Sequence, residues 1–277
     1  MITVTTLVEN TARGAGILGE HGLAWWIETP THCVLFDTGQ GLALEHNAER
    51  LGADLARADA IVLSHGHFDH VGGLERALAR APRASLHLHP RACEPKFSGS
   101  GGTVRRLSTP FVEEQQFRRE GCVVVATTEA HEVVPGLWCT GEIPRENDYE
   151  DTGGPFFLDH GLTRPDPLLD DQALFFATRD GLVVVLGCAH AGLVNTLAHI
   201  VRVSGCERIH TILGGLHLER ASARRMDETI AFLRRYDVRH LGGGHCTGGA
   251  ALRRFWGEFP DRCVELHAGA RWSFEEI

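Results

Sequence analysis

The sequence places four potential metal ligands within six residues, directly after the apolar run at residues 60–63. They are His65, His67, Asp69 and His70. Because side chains alternate in an extended segment, His65 and His67 point to the same side and can bind one cation together. Asp69 and His70 follow where the chain bends away, which suits them to a second cation nearby. The pattern therefore predicts a strand that ends in a turn with a site for two metal ions.

The donor types also restrict the identity of the metal. Imidazole nitrogen with carboxylate oxygen suits zinc, and it suits iron or manganese when further oxygen ligands are added. We therefore expect two divalent metal ions, with zinc favoured and manganese or iron as alternatives.

The segment from His65 to His70 resembles the HxHxDH signature of the metallo-β-lactamase superfamily. In that superfamily an aspartate usually precedes the signature at the end of a strand, and Asp37, after the apolar residues 34–36, fits this position. The resemblance implies that Asp37 orients the metal-binding turn through hydrogen bonds; the alternative is an ordinary turn aspartate. It also implies an α/β fold, a four-layer αββα sandwich of two mixed sheets flanked by helices.

One domain over residues 1–277 is the simplest organisation, because the chain has no linker-like stretch and its 43% hydrophobic content can form a large core. Apolar runs predict strands, and apolar residues at helical spacing predict helices. The strands are expected at residues 2–8, 23–27, 33–36, 60–63, 85–89, 122–127, 173–177, 182–186 and 209–213, and the helices at 41–51, 74–79, 193–203, 223–235 and 250–259. Two stretches, at about 90–121 and 141–171, are predicted to be irregular and to shape the substrate pocket.

Three further histidines, His190, His217 and His245, each follow a strand-like or short apolar segment, where functional residues are often presented. We expect His190 and His245 to be metal ligands. The strand end before His190 carries Cys188, where the resemblance implies a metal-bridging carboxylate. Cys188 is either a thiolate ligand in its place or a small buried residue.

Asp69, His217 and Arg145 are the candidates for direct action on a substrate. We expect Asp69 to hold the nucleophile as well as a metal ion. His217 is expected to contact the substrate or to act as a general acid, with a metal ligand or a buried core histidine as alternatives. The resemblance implies that Arg145 lies near the site, where its guanidinium would bind a substrate phosphate. An exposed loop arginine is the alternative.

The later motifs at residues 187–192, 214–218 and 243–248 resemble one branch of the superfamily, which includes an archaeal dihydropterin ribofuranosyl-aminobenzene phosphate synthase. The superfamily implies a binuclear metal-dependent hydrolase in which a metal-bridged hydroxide attacks a small phosphoester, thioester or lactone. The branch implies the alternative, a transferase of the 7,8-dihydropterin-6-methyl-4-(ribofuranosyl)aminobenzene 5'-phosphate synthase type that releases diphosphate. A non-catalytic metal-binding sensor is a third hypothesis, which the complete set of ligands disfavours.

Charge and cysteine spacing argue against several other classes. With a net charge of −9 and no basic patch, the chain is not expected to bind nucleic acid. The eight cysteines include no CxxC pair, and no apolar run approaches the length of a membrane span. We therefore expect a cytoplasmic protein with reduced thiols, no membrane partner and a small-molecule substrate that can carry phosphate.

Overall fold

Two mixed β-sheets pack face to face in the computed structural model, which describes residues 1–100, 102–119 and 121–277. In chain order the strands are β1 (Ile2–Val8), β2 (Ala24–Glu28), β3 (Cys33–Phe36), β4 (Ala60–Val62), β5 (Ser85–Leu88), β6 (Phe97–Ser100), β7 (Thr103–Arg106), β8 (Val124–Ala126), β9 (His131–Val134), β10 (Leu137–Cys139), β11 (Phe156–Phe157), β12 (Ala173–Thr178), β13 (Gly181–Leu186), β14 (Ile209–Gly215), β15 (His240–Gly244) and β16 (Arg271–Phe274). The helices are α1 (Leu44–Leu51), α2 (Phe68–Val71), α3 (Leu74–Arg80), α4 (Pro110–Glu113), α5 (Gln116–Arg119), α6 (Leu193–Ser204), α7 (Ala223–Arg235) and α8 (Gly249–Glu258). Short 3-10 turns lie at Leu55–Arg57 and Pro90–Cys93.

Each large sheet combines a parallel and an antiparallel part. The first has the order β16-β1-β2-β3-β4-β5-β8, in which β3, β4, β5 and β8 run parallel. The second has the order β15-β14-β13-β12-β10-β9, in which β13, β14 and β15 run parallel. Because parallel neighbours end at the same edge of a sheet, the residues that follow these strands collect along one rim.

Apolar residues on both faces of the central strands explain the layered packing. In β13, Val183 and Val185 pack between the two sheets, whereas Val184 and Leu186 pack against the outer helices. Full burial of one such side chain stabilises the fold by roughly 1.5–3 kcal/mol. A strand that is buried on both faces reads as a continuous apolar run, as it does here.

Helices cover the outer face of each large sheet. Side chains of α1 and α3 pack on the first sheet, and those of α6, α7 and α8 pack on the second. Leu193, Leu197 and Ile200 of α6 are buried, at the helical spacing from which this helix was predicted. The predicted αββα sandwich with two mixed sheets is therefore confirmed.

The stretches predicted to be irregular contain a third, small sheet with the order β11-β6-β7, and α4 and α5 also lie there. The prediction that these stretches are irregular was wrong at these elements. The short strands were missed because they lack the alternating apolar pattern that identifies a half-buried strand. Residues 101 and 120 of the first stretch lie outside the described residues. None of the helices in the described part of the chain is long and apolar enough to cross a membrane.

Candidate metal centre

The predicted site residues meet at the rim where the parallel strands end. Asp37 follows β3, and His65 follows β4 in the first sheet. His190, His217 and His245 follow β13, β14 and β15 in the second. The two sheets therefore contribute opposite sides of one site, although the residues are far apart in the sequence.

The backbone at this rim adopts a conformation that residues other than glycine rarely take. Asp37, Ala189, His217 and His245 have φ angles of 60°, 55°, 46° and 50°. Each left-handed residue of this kind costs of order 1–3 kcal/mol and persists only where the surroundings enforce it. Such conformations turn the chain sharply after each strand and are typical of functional sites.

His65, His67 and His190 form the first cluster of candidate metal ligands. One ring nitrogen from each lies within 4.8 Å of the others, and His65 Nε2 is 3.0 Å from His67 Nδ1. Burial lowers the pKa of His67 to about 3 and lowers the pKa values of His65 and His190 well below their usual range. These rings are therefore neutral near pH 7, which leaves nitrogen lone pairs for a metal ion.

Asp69, His70 and His245 form the second cluster. His70 Nε2 and His245 Nε2 are 3.2 Å apart, and Asp69 Oδ2 lies 3.4 Å from His245 Nε2 and 3.9 Å from His70 Nε2. Burial opposes protonation of His245, but its hydrogen bond with Asp69 raises its pKa to about 9. The raised pKa favours a positively charged His245 beside Asp69, and a divalent cation could supply the positive charge in its place.

His21 extends the second cluster towards solvent and was missed by the sequence analysis. Its Nε2 lies 3.3 Å from Asp69 Oδ2, and its side chain is 61% exposed. Atoms of His21, Asp69 and His245 also lie within 4.8 Å of one another. No local spacing could have identified His21, because it reaches the site from the loop before β2.

Two cysteines lie beside the clusters. Cys188 Sγ is 3.1 Å from His70 Nε2 and groups with His65 and His70, so the thiol lies between the two clusters. Cys246, which the sequence analysis did not select, groups with Cys188 and His245. Burial raises the pKa of Cys188. Burial also opposes ionisation of Cys246, but its hydrogen bond with Cys188 and the nearby His217 and His245 lower its pKa well below the usual range.

Asp37 is fully buried and connects the two clusters. Its carboxylate accepts hydrogen bonds from Ser64 N and Ser64 Oγ, both at 2.7 Å, and lies 2.7 Å from His70 Nδ1. Ser64 Oγ is in turn 2.9 Å from His65 Nδ1. One carboxylate therefore orients a ligand of each cluster, which is the arrangement predicted for Asp37.

Lys96, the only lysine in the sequence, is linked to the turn of the first cluster through Asp170. It is 1% exposed, and its Nζ lies 2.9 Å from both Asp166 Oδ2 and Asp170 Oδ1. Asp170 Oδ2 accepts a hydrogen bond of 2.8 Å from Gly66 N, between His65 and His67. A Cβ atom at Gly66 would lie 2.2 Å from Ala92 O, so only glycine fits there.

Arg145 lies beside the first cluster in a supporting position. Its guanidinium donates hydrogen bonds to His190 O at 2.8 Å, to Pro167 O at 3.0 Å and to Ala191 O at 3.3 Å. These bonds hold the turn that carries His190. The predicted contact between Arg145 and a substrate phosphate stays a prediction.

A cavity of about 400 Å³ opens over the clusters and is lined by His21, His217, Cys246 and Phe156 together with polar residues of the small sheet and of the loop after β14. The ring of His217 lies 4.1 Å from that of His190, and the ring of Phe156 lies 5.1 Å from that of His67. Burial opposes protonation of His217, but Cys246 raises its pKa. A ligand in this cavity would touch His217 and His21, the residue that extends the second cluster towards solvent.

The residues at this rim fit divalent metal ions. His190 Nε2 is buried and has no hydrogen-bond partner among the described residues, although it faces His65 and His67. A buried polar atom without a partner is costly, and a coordinated cation would remove that cost. Three or more nitrogen, oxygen or sulfur donors within 4.8 Å are the ligands that zinc and similar ions prefer.

The fold, with clusters of side chains that could hold metal ions, is of the metallo-β-lactamase type. Residues 18–192 match the model of the metallo-beta-lactamase superfamily, and the chain belongs to that superfamily. This confirms the resemblance that the segment from His65 to His70 suggested.

One relative is similar over almost its whole length. The chain is 30% identical, over 97% of its own residues and 95% of the relative, to 7,8-dihydropterin-6-methyl-4-(beta-D-ribofuranosyl)-aminobenzene-5'-phosphate synthase of Methanocaldococcus jannaschii. Among solved structures, Tm1679, described as a metal-dependent hydrolase of the beta-lactamase superfamily, matches all of both chains with a TM-score of 0.84 and 26% identity. Zn²⁺-bound PqqB from Methylobacterium extorquens matches with a TM-score of 0.59 and 15% identity, a likeness of fold alone.

Proposed function

We propose that this protein is a metal-dependent transferase of the pterin synthase type. It would join a phosphorylated arylamine to the methylene carbon attached to a pterin-like ring. Diphosphate on that carbon would be the leaving group. The full-length similarity to the Methanocaldococcus jannaschii synthase carries this proposal. It favours the alternative that the later motifs implied over the hydrolase that was the main prediction.

We infer that two divalent ions bind at the rim. His65, His67 and His190 would hold one, and Asp69, His70 and His245 would hold the other, with Cys188 beside both sets. When bound, such ions act as Lewis acids that stabilise the negative charge of a departing oxygen group.

The chain's own residues would place the substrates over these ligands. Phe156 lines the cavity and lies beside the rings of His67 and His190, so it offers an apolar surface next to these candidate ligands. His217 lines the same cavity, and its Nδ1 has no hydrogen-bond partner among the described residues. We therefore propose that His217 contacts the substrate beside the leaving group. The arylamine nitrogen would form the new bond to carbon as the bond from that carbon to diphosphate breaks and diphosphate takes the electron pair. The nitrogen would then release one proton to solvent.

The test supplies zinc- or manganese-loaded protein with a diphosphate-activated hydroxymethyl dihydropterin and an arylamine that carries a ribosyl phosphate. We expect diphosphate release that depends on the arylamine and a joined product identified by its mass. His67→Ala should abolish both, whereas His240→Ala is the matched control, because His240 is exposed at the other end of β15. Absence of the joined product in metal-verified protein would refute the transferase.

A hydrolase is the second candidate, favoured by the similarity to Tm1679 over the whole chain. Water would then replace the arylamine as the acceptor at the same site. Release of diphosphate without the arylamine, or turnover of a simple phosphodiester, thioester or lactone, would support this candidate over the transferase.

A further inference from the structure

The small sheet presents a row of side chains to the cavity over the metal ligands. Phe156 of β11 pairs with Ser98 of β6, and Ser98 pairs with Arg105 of β7. All three line the cavity. Because neighbouring strands lie about 4.8 Å apart, the row spans roughly 10 Å, from an aromatic ring beside His67 to a guanidinium at the outer edge.

A second arginine, from a different part of the fold, also lines the cavity. Arg220 lies in the loop between β14 and α7, three residues after His217, and lines the same cavity. Within the described residues, neither Arg105 nor Arg220 makes an ion pair or a side-chain hydrogen bond. Their neighbours differ: Arg106 pairs with Glu113, and Arg224 pairs with Asp148.

We propose that Arg105 and Arg220 form a subsite for a phosphate monoester of the substrate, with the hydroxyls of Ser98 and Thr103 as further donors. Guanidinium groups bind phosphate through paired, charge-assisted hydrogen bonds. In a chain with a net charge of −9, two cations left unpaired at the mouth of a cavity provide a local attraction for an anion.

The position of this subsite also indicates the class of substrate. Phe156 lies between the guanidinium of Arg105 and the metal ligands, and an aromatic face favours contact with a flat ring. The geometry therefore fits an aromatic compound whose phosphate points to the cavity mouth while its reactive end reaches the metal ligands. This inference rests on the proposed function, because it names the part of that substrate which the cavity mouth recognises.

Glu219 lines the same cavity, and its substitution should change the phosphate affinity in the opposite direction to the arginine variants. Its carboxylate repels a bound phosphate, so Glu219→Gln should strengthen phosphate binding, whereas Arg105→Gln and Arg220→Gln should weaken it. Arg83→Gln is the matched control, because Arg83 is an exposed arginine in the turn before β5.

The first measurement is calorimetric titration of inorganic phosphate into metal-loaded protein, with metal content and thermal melting checked for each variant. We expect a loss of about tenfold in phosphate affinity for each arginine variant, the size of one lost charge-assisted contact. If Arg105→Gln and Arg220→Gln bind phosphate as tightly as Arg83→Gln does, the proposal is overturned, because phosphate would then bind at the metal ions alone.

A kinetic measurement distinguishes the two phosphate-bearing substrates of the proposed reaction. The arginine variants should raise KM for the phosphorylated arylamine about tenfold and leave KM for the dephosphorylated arylamine and for the diphosphate-activated pterin unchanged. An increase in KM for the pterin alone would overturn the assignment to the phosphate monoester. If phosphate binds as expected but no joined product forms, the proposed function fails and the subsite stands.

Discussion

The two ligand clusters are built differently, although they share one rim. The first cluster consists of three buried imidazoles, and Lys96 and Asp37 fix the turn that carries two of them. The second mixes a carboxylate with imidazoles, has Cys188 at its side and reaches solvent through His21. We therefore expect the first cluster to bind an ion tightly and the second, which reaches solvent through His21, to exchange an ion more readily.

Removal of an imidazole from the first cluster should have the largest effect. His67→Ala leaves His65 and His190 without their third partner, so we expect loss of about one equivalent of metal and of all metal-dependent turnover. Elemental mass spectrometry of purified protein would measure this, with His240→Ala as the control. Retention of the wild-type metal content would contradict the assignment of His67.

Removal of the cation beneath the first cluster should come next. Lys96→Met leaves Asp166 and Asp170 buried without a counter-charge, which should lower the free energy of unfolding by about 3–5 kcal/mol. Denaturant titration would measure the loss. Adding Asp170→Asn to Lys96→Met removes one uncompensated charge and should restore part of the stability; no restoration would show that electrostatics is not the cause.

Removal of the carboxylate that both clusters share should weaken both. For Asp37→Ala we expect a loss of about 10–100-fold in affinity at each cluster, the range found when partners of metal ligands are removed. Competition with a chelating dye would measure both affinities. Asp37→Asn keeps an oxygen acceptor for Ser64 N and should lose less. A loss confined to one cluster would contradict the role of Asp37 as a shared support.

Removal of the exposed histidine should affect the second cluster alone. His21→Ala should weaken the second ion by at most about fivefold, since exposed charged contacts contribute roughly 0–1 kcal/mol. The same dye competition would detect it, with His46→Ala as an exposed control. A loss of a full equivalent of metal would show that His21 is an essential ligand and that the second cluster is less open than proposed.

The smallest effect concerns pH. Burial opposes ionisation of Asp170, but the Lys96 ammonium lowers the pKa of this carboxyl below its ordinary value of 3.8. Its contribution to stability is therefore present above about pH 4 and is lost as the pH falls through the folded-state pKa. The difference in the free energy of unfolding between metal-free wild type and Asp170→Asn should be constant above about pH 4 and should decrease below it. A difference that increases in acid would contradict the lowered pKa.

Local spacing explains which parts of the site could be predicted. His65 to His70 lie in one turn, and His190 and His245 each follow a recognisable strand or apolar stretch, so the sequence was sufficient to select them as candidates. His21 reaches the clusters only through tertiary contacts, and no spacing marks it. Cys246 directly follows His245 in the motif at residues 243–248, so its position in the sequence could have marked it. The link from Lys96 to Asp170 joins residues 74 apart in the sequence, so a folded chain is needed to show it.

The same reasoning applies to the fold. Strands buried on both faces, such as β13, read as continuous apolar runs and were predicted within one or two residues. β15 contains three glycines, a residue with weak strand preference, and only its parallel pairing with β14 makes it a strand. The small sheet was missed because its strands are two to four residues long and carry polar side chains.

The single ammonium group of Lys96 also allows local unfolding around the metal-binding turn to be measured by chemical labelling. No other lysine is present in the sequence. Covalent labelling of a lysine side chain by an amine-directed reagent therefore requires exposure of Lys96, which is buried beside Asp166 and Asp170. The rate of that labelling, followed by peptide mass, would give the opening frequency of the metal-binding turn in the unaltered protein. Comparison of that rate with and without zinc would show how far a bound ion holds the turn closed.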